Sequence, residues 1–227
     1  MNSINQAKEI IRKHSGQGSS VSLGLLDSFR PYQGFSDRDA QEFFEAIIYY
    51  SVESTFPQND QLEIIYCLWN TCHTIRRLAL SANGPLQRNA IIDNADIAHI
   101  EKWVDSIEHS CLIWISGDQD YKVALPFADY ITNGHPIADK KSAFKCLFDF
   151  LKKAISQENS HSVESNSKGF FEKSFDAQYS FIIALEKLGN ESKEWVEFLK
   201  KLSSNSESKE IRDEARRILN QISKESR

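Results

Sequence analysis

Residues able to do acid–base or anion-binding chemistry gather on one stretch of the chain. His73, Arg76 and Arg77, with Asn70 and Thr74 one helical turn back, could work together as an acid, a base or an anion clamp. An enzyme built on this stretch would have a polar cleft around Asn70, His73 and Arg77. The surrounding sequence favours a plain solvated edge instead, because no carboxylate stands at the helical spacing that would orient His73. The six histidines, His14, His73, His99, His109, His135 and His161, are scattered. No His-Glu-x-x-His pair is present to hold zinc, and no arginine is followed four to six residues later by a histidine, as a helical Arg/His ribonuclease centre requires.

Other candidates for ligand chemistry fail on spacing. Asp118-x-Asp120 lacks the further oxygen ligands and closing glutamate of a calcium loop and reads as a surface turn. Gly16-x-Gly18 follows no strand and precedes no Lys-Ser/Thr, so it is a loop and not a phosphate cradle. Cys67, Cys72, Cys111 and Cys146 form no Cys-x-x-Cys pair and lie within apolar helical patterns, the setting of buried free thiols. These patterns call for no metal and no cofactor.

The strongest electrostatic signal is acidic. The formal net charge is −5, and all of the imbalance lies before His161. It is sharpest from Asp93 to Asp129, where Asp93, Asp96, Glu101, Asp105, Glu108, Asp118, Asp120 and Asp129 face only Lys102 and Lys122. Glu101, Asp105 and Glu108 fall at helical spacing, and like charges four apart weaken an isolated helix by about 0.2–0.5 kcal/mol. Helix stability therefore does not ask for them. With Asp118 and Asp120 they are the candidate docking residues for a basic protein, whereas an acidic surface repels nucleic acid.

The elements that must position these residues are helices. Apolar residues keep helical spacing almost throughout the 227-residue chain, proline and glycine are sparse, and alternating strand patterns are hard to find. The fold class expected is all-α. The widest apolar set lies between Asp60 and Ala82, which predicts the most buried helix, covered by neighbours on several sides, with Glu63, Asn70, Thr74, Arg77 and Ser81 left as a polar strip. Further helices are expected over about Ser3–Lys13, from Ser36 to Tyr50, Ala95–Ser116, Tyr121–Thr132, Ile137–Ser156, Ser174–Leu188, Asn190 or Ser192 to Leu202, and Lys209–Ile222. Ser36 is placed to cap the second, and Ile97, Ile100, Val104, Ile107, Cys111 and Ile115 form the predicted buried face of the Ala95–Ser116 helix.

The polar run from Gln157 to Lys168 predicts a connection between an N-terminal helical region, residues 1–157, and a C-terminal region, residues 169–227. The N-terminus lacks an apolar signal core and no apolar run reaches the ~20 residues of a membrane span, which predicts a cytosolic protein without membrane attachment.

The last third carries a resemblance. Ala184-Leu185-x-x-Leu188-Gly189, Trp195-Val196-x-Phe198-Leu199-x-x-Leu202 and Glu210-Ile211-Arg212-x-x-Ala215-x-x-Ile218-Leu219 resemble the successive helices of HEAT-type repeats. The resemblance implies helix pairs stacked into a solenoid that binds other macromolecules. With the acidic surface, it leads to the expectation of a non-enzymatic protein-binding module. Small acidic helical proteins that neutralise basic nuclease toxins, the immunity proteins, have this profile. An enzyme or a HEAT-like nucleic-acid-processing protein stands as the alternative.

Overall fold

The computed structural model describes residues 3–18, 24–52, 58–115, 121–161, 175–189, 192–206 and 208–225. The protein is all-α, as its periodicity predicts. It divides into two compact units, Met1–Asp139 and Lys140–Arg227. The division falls before the helix that starts at Lys140 and not in the polar run after it. Of that run, Gln157–His161 continues the helix and 162–168 lies outside the described residues.

In the first unit, α1 (Ile4–His14) is capped by Ser3, whose side chain accepts from the Gln6 amide. A 3-10 turn, Leu25–Ser28, leads to α2 (Asp37–Val52), where Ser36 Oγ accepts from the Asp39 amide at 3.2 Å. Then come α3 (Gln58–Ile75), the short α4 (Pro85–Arg88), α5 (Asn94–Ile115) and α6 (Leu125–Thr132). Asp93 supplies the cap of α5 by accepting from the Asp96 amide. α1 packs on α2 and α3, α3 on α5, and α5 on α6.

The core of this unit is aromatic. Trp103 of α5 is fully buried among Phe35, Phe43 and Phe44, and Phe44 stacks on Phe127 of α6 with ring centres 4.9 Å apart. Of the residues predicted to line the buried face of α5, Ile100, Val104, Ile107 and Cys111 do so, and Trp103 and Trp114 join them. Ile115 does not: it stands 56% exposed.

α3 runs on into a π-helical turn, Arg76–Leu80, closed by a bond from the Ser81 amide to the Arg76 carbonyl. Gly84 makes the following turn possible, since a Cβ there would sit 2.7 Å from the Arg77 carbonyl oxygen.

In the second unit, α7 (Lys140–His161) packs on α8 (Phe175–Leu188), and α9 (Lys193–Asn205) with α10 (Lys209–Glu225) forms a helical hairpin whose second arm also touches α8. Ser192 caps α9 through the Trp195 amide. Trp195 is buried with its ring edge-on to Phe144 and Phe148, while Phe150 stacks on Phe181. This aromatic packing ties α7 to α8 and α9. All four cysteines are free thiols, buried at Cys67, Cys72 and Cys111 and partly buried at Cys146.

Candidate protein-docking face

α3 is not covered on several sides, and this corrects the expectation from its apolar spacing. Ile64, Cys67, Leu68, Thr71, Cys72 and Ile75 point into the core, but Leu62, Tyr66 and Trp69 are 57%, 52% and 57% exposed. The apolar set is wide because α3 carries two apolar rows, one for the core and one open to water. The outer row steps by four, three and four residues through Leu62, Tyr66, Trp69 and His73, and Arg76 continues it. Its side chains touch one another: the His73 ring lies flat on Trp69, 4.8 Å away at 7°, and Tyr66 is 6.5 Å from Trp69.

The polar strip of α3 divides. Glu63 turns to α1, where Lys8 approaches at 3.0 Å and Arg12 Nε donates at 2.6 Å. Burial works against the charged form of Glu63, yet these two hydrogen bonds prevail and hold its carboxyl below the ordinary range. Asn70 donates to the Ser15 carbonyl at 3.3 Å. It is therefore a tie to the end of α1 and not part of a cleft with His73. Arg77 is exposed, and among the described residues no carboxylate is hydrogen-bonded to His73.

α5 carries a matching row. Glu101, Asp105, Glu108, Leu112 and Ile115 step by four, three, four and three residues; Glu101 and Asp105 are exposed, Glu108 is half-buried, and Leu112 is 65% exposed. The acidic stripe seen in the sequence is thus half of a longer row whose C-terminal end is apolar. Asp118 and Asp120, the other two candidates, lie outside the described residues.

Arg76 joins the two rows. Its Nε and Nη2 donate to the two oxygens of Glu108, each at 2.7 Å, and Nη2 also donates to Asp105 at 2.8 Å. Cys72, one turn before Arg76, lies in the field of Cys111, one turn after Glu108, so the helices run antiparallel. Counted at helical spacing back from the Arg76–Glu108 bond, that register sets His73 level with Leu112 and Trp69 level with Ile115. The face is apolar at one end, with Leu62, Tyr66, Trp69, Leu112 and Ile115, and charged at the other, with Arg76, Asp105, Glu108 and Glu101. The compensation of the acidic row comes mainly from Arg76 on the neighbouring helix, which spacing along α5 alone could not reveal.

Two other polar clusters lie in this unit. His14 is fully buried; its Nδ1 accepts from the Leu25 amide at 3.0 Å, and its Nε2 is 2.9 Å from Glu42 Oε2. A backbone amide can only donate, so Nδ1 carries no proton and Nε2 donates to the carboxylate. That bond from His14, with help from Lys13 at 2.9 Å, lowers the Glu42 pKa to about 2. Asp39 stands near enough for the three side chains to surround an ion. The tautomer argues against one, because a protonated Nε2 has no lone pair to offer a metal.

The second cluster joins histidines that are far apart in sequence. His99 Nε2 is 2.6 Å from the Tyr130 hydroxyl and 3.4 Å from Asp37 Oδ1, while His135 stacks on the Tyr130 ring at 4.4 Å. Burial, and next the Asp37 charge, push the Tyr130 hydroxyl pKa up, and burial raises that of Asp37. Asp37 and Tyr130 address the same histidine nitrogen, so they do not form a relay through the ring. A cleft of about 170 Å³ beside them is lined by Lys102, His109, Asp129, Tyr130 and His135 among others.

Charge separates the two units. Met1–Asp139 holds 18 acidic and 10 basic residues, and Lys140–Arg227 holds 14 and 17. No protein-family model matches the chain, and no curated protein or solved structure matches it either.

Proposed function

We propose that the chain is a protein-binding module whose first unit docks a basic protein on the face of α3 and α5. The observation that carries this reading is the pair of adjoining exposed rows, which place Leu62, Tyr66, Trp69, Leu112 and Ile115 in water next to Glu101, Asp105 and Glu108. Large apolar side chains gathered in the open mark interaction surfaces, and tryptophan and tyrosine are the residues that most often dominate binding energy. The acid excess of the first unit selects the sign of the partner and speeds encounter with it.

The role that fits is stoichiometric masking, as an immunity protein or inhibitor does for a basic toxin such as a nuclease. The C-terminal helices, whose sequence resembles HEAT repeats, belong to the proposal as a second binding surface. An enzymatic role for Asn70, His73 and Arg77 has less support, since Asn70 is engaged with Ser15 and the His73 ring lies on Trp69.

The test is capture of partners from native lysate by wild-type protein, by Trp69→Ala and by Asp105→Lys with Glu108→Lys, at low and moderate salt. Wild type should retain a basic partner, Trp69→Ala should lose most of it at both salts, and the charge reversal should lose it chiefly at low salt. Retention of the same partners by all three proteins at both salts overturns the reading.

A further inference from the structure

We propose that the cleft between α5 and α6 is a binding site for a small aromatic carboxylate, whose carboxylate group is held by Lys102. Asp105 excepted, the site uses different side chains from the docking face, so the two readings stand or fall separately.

The register of the two helices builds the cleft. His99 meets Tyr130, and Ser110 Oγ donates to the Val123 carbonyl at 3.2 Å, so α5 and α6 run antiparallel. Lys102, Ser106 and His109 follow at helical steps on α5, and Pro126, Tyr130 and Asn133 do the same on α6. Lys102 thus stands between two imidazoles, with His135 towards one end of the cleft and His109 towards the other. The volume of about 170 Å³ has room for about six water molecules and falls below the roughly 300 Å³ at which pockets for drug-sized ligands begin, so the ligand is small.

Lys102 sets the sign of the ligand. It lies in the most acidic stretch of the sequence, next to Glu101 and three residues before Asp105, yet among the described residues no carboxylate pairs with it. Asp105 is hydrogen-bonded to Arg76 instead. A lysine that leaves its acidic neighbours unused and lines a cleft beside two histidines offers its charge to whatever enters the cleft. His109 and Asn133, also without protein partners among the described residues, add donors. Asp129 opposes an anion from the same wall. The apolar part of the lining is flat: Pro126 and Tyr130 are buried, and the His135 ring lies against Tyr130 with centres 4.4 Å apart, which suits an aromatic ring.

A bound carboxylate acts on His135 as well. Burial, and next the charges of His99 and Lys102, hold the His135 pKa below the ordinary histidine range. The groups facing it are those two from α5 and Tyr130 from α6, with Asp37 of α2 behind His99. An anion on Lys102 offsets part of this field. The ligand should therefore raise the His135 pKa and bind more tightly as pH falls through its range.

Nuclear magnetic resonance titration of the isotope-labelled full chain tests the proposal, with benzoate as the probe and inorganic phosphate and benzylammonium for comparison. Benzoate should shift the resonances of Tyr130, Asn133 and His135 saturably, and the His135 ring should titrate at higher pH in its presence. Lys102→Met should weaken binding about tenfold, Lys102→Arg should keep most of it and Asp129→Asn should tighten it, with circular dichroism confirming that each variant is folded. Trp69→Ala should leave benzoate binding unchanged, which separates this site from the docking face. The absence of a saturable shift in wild type up to about 10 mM benzoate overturns the site, as does binding that Lys102→Met leaves intact. Tighter binding of benzylammonium would make it a cation site, and phosphate binding as tight as that of benzoate would leave the aromatic wall without a role; either result also overturns the proposal.

Discussion

α3 and α10 are both amphipathic helices of similar length, yet they treat their apolar residues in opposite ways. α10 keeps a single buried row, Ile211, Ala215 and Ile218, and fills the rest of its circumference with charges that pair along the helix, Arg216 with Asp213 and Arg217 with Glu214, and across to Glu186 of α8. α3 buries one apolar row and then displays a second, with two aromatic side chains more than half exposed. A helix with more apolar residues than its neighbours can cover is not thereby more buried. The surplus measures what is left for something outside the fold.

The contrast between core and display is broken most directly by treating two tryptophans alike. Trp103 is enclosed by Phe35, Phe43 and Phe44, so Trp103→Ala should cost about 3–5 kcal/mol. In dilute solution Trp69→Ala should stay within about 0.5 kcal/mol, as for other surface changes. Urea denaturation of the two variants measures both, and comparable losses would mean that the outer row of α3 belongs to a core.

A smaller effect separates polar contacts that hold the fold from those that dress it. Glu42 has its pKa lowered from 4.5 to about 2 by His14, so the native state favours its charged form. The resulting stability is present above pH 4.5 and is lost as pH falls towards 2, because the unfolded chain then takes up the proton first. Thermal melts across that window should show a steep acid limb that Glu42→Gln flattens; an unchanged slope would show that the contact with His14 contributes nothing.

A small effect on stability is also expected at Arg76. Its side chain is 40% exposed, as exposed as the carboxylates it joins, so Arg76→Ala should cost no more than about 1 kcal/mol. It would also free Asp105 and Glu108, and association with a basic partner should become faster at low salt. Stopped-flow mixing reads that rate directly, and a slower association would show that Arg76 itself is part of the contact.

The helical fold was legible because its signals are local. Apolar spacing and helix caps are written within a few residues: Ser36 caps as predicted, and of the two caps offered before Trp195 the structure uses Ser192. The unit boundary was less so, since the polar run from Gln157 looked like a break while the packing of Phe148 and Phe150 on Trp195 and Phe181 ties α7 to α8 and α9. The candidate docking face was half legible. Glu101, Asp105 and Glu108 stood out as like charges on one helix, but their continuation into Leu112 and Ile115 and their joining to Arg76 depend on how two helices lie side by side. Apolar spacing alone also cannot tell an inner row from an outer one, which is why Leu62, Tyr66 and Trp69 read as core. His99 and His135, 36 positions apart, stack on one another and on Tyr130 only because α5 packs on α6.

The bond from the Leu25 amide to the buried ring of His14 gives this protein a built-in reporter. That amide hydrogen cannot exchange with deuterated solvent until the imidazole moves away. One resonance in a nuclear magnetic resonance spectrum would therefore follow that event: its exchange rate would register the opening of the junction between α1, the 3-10 turn and α2, without any label being introduced.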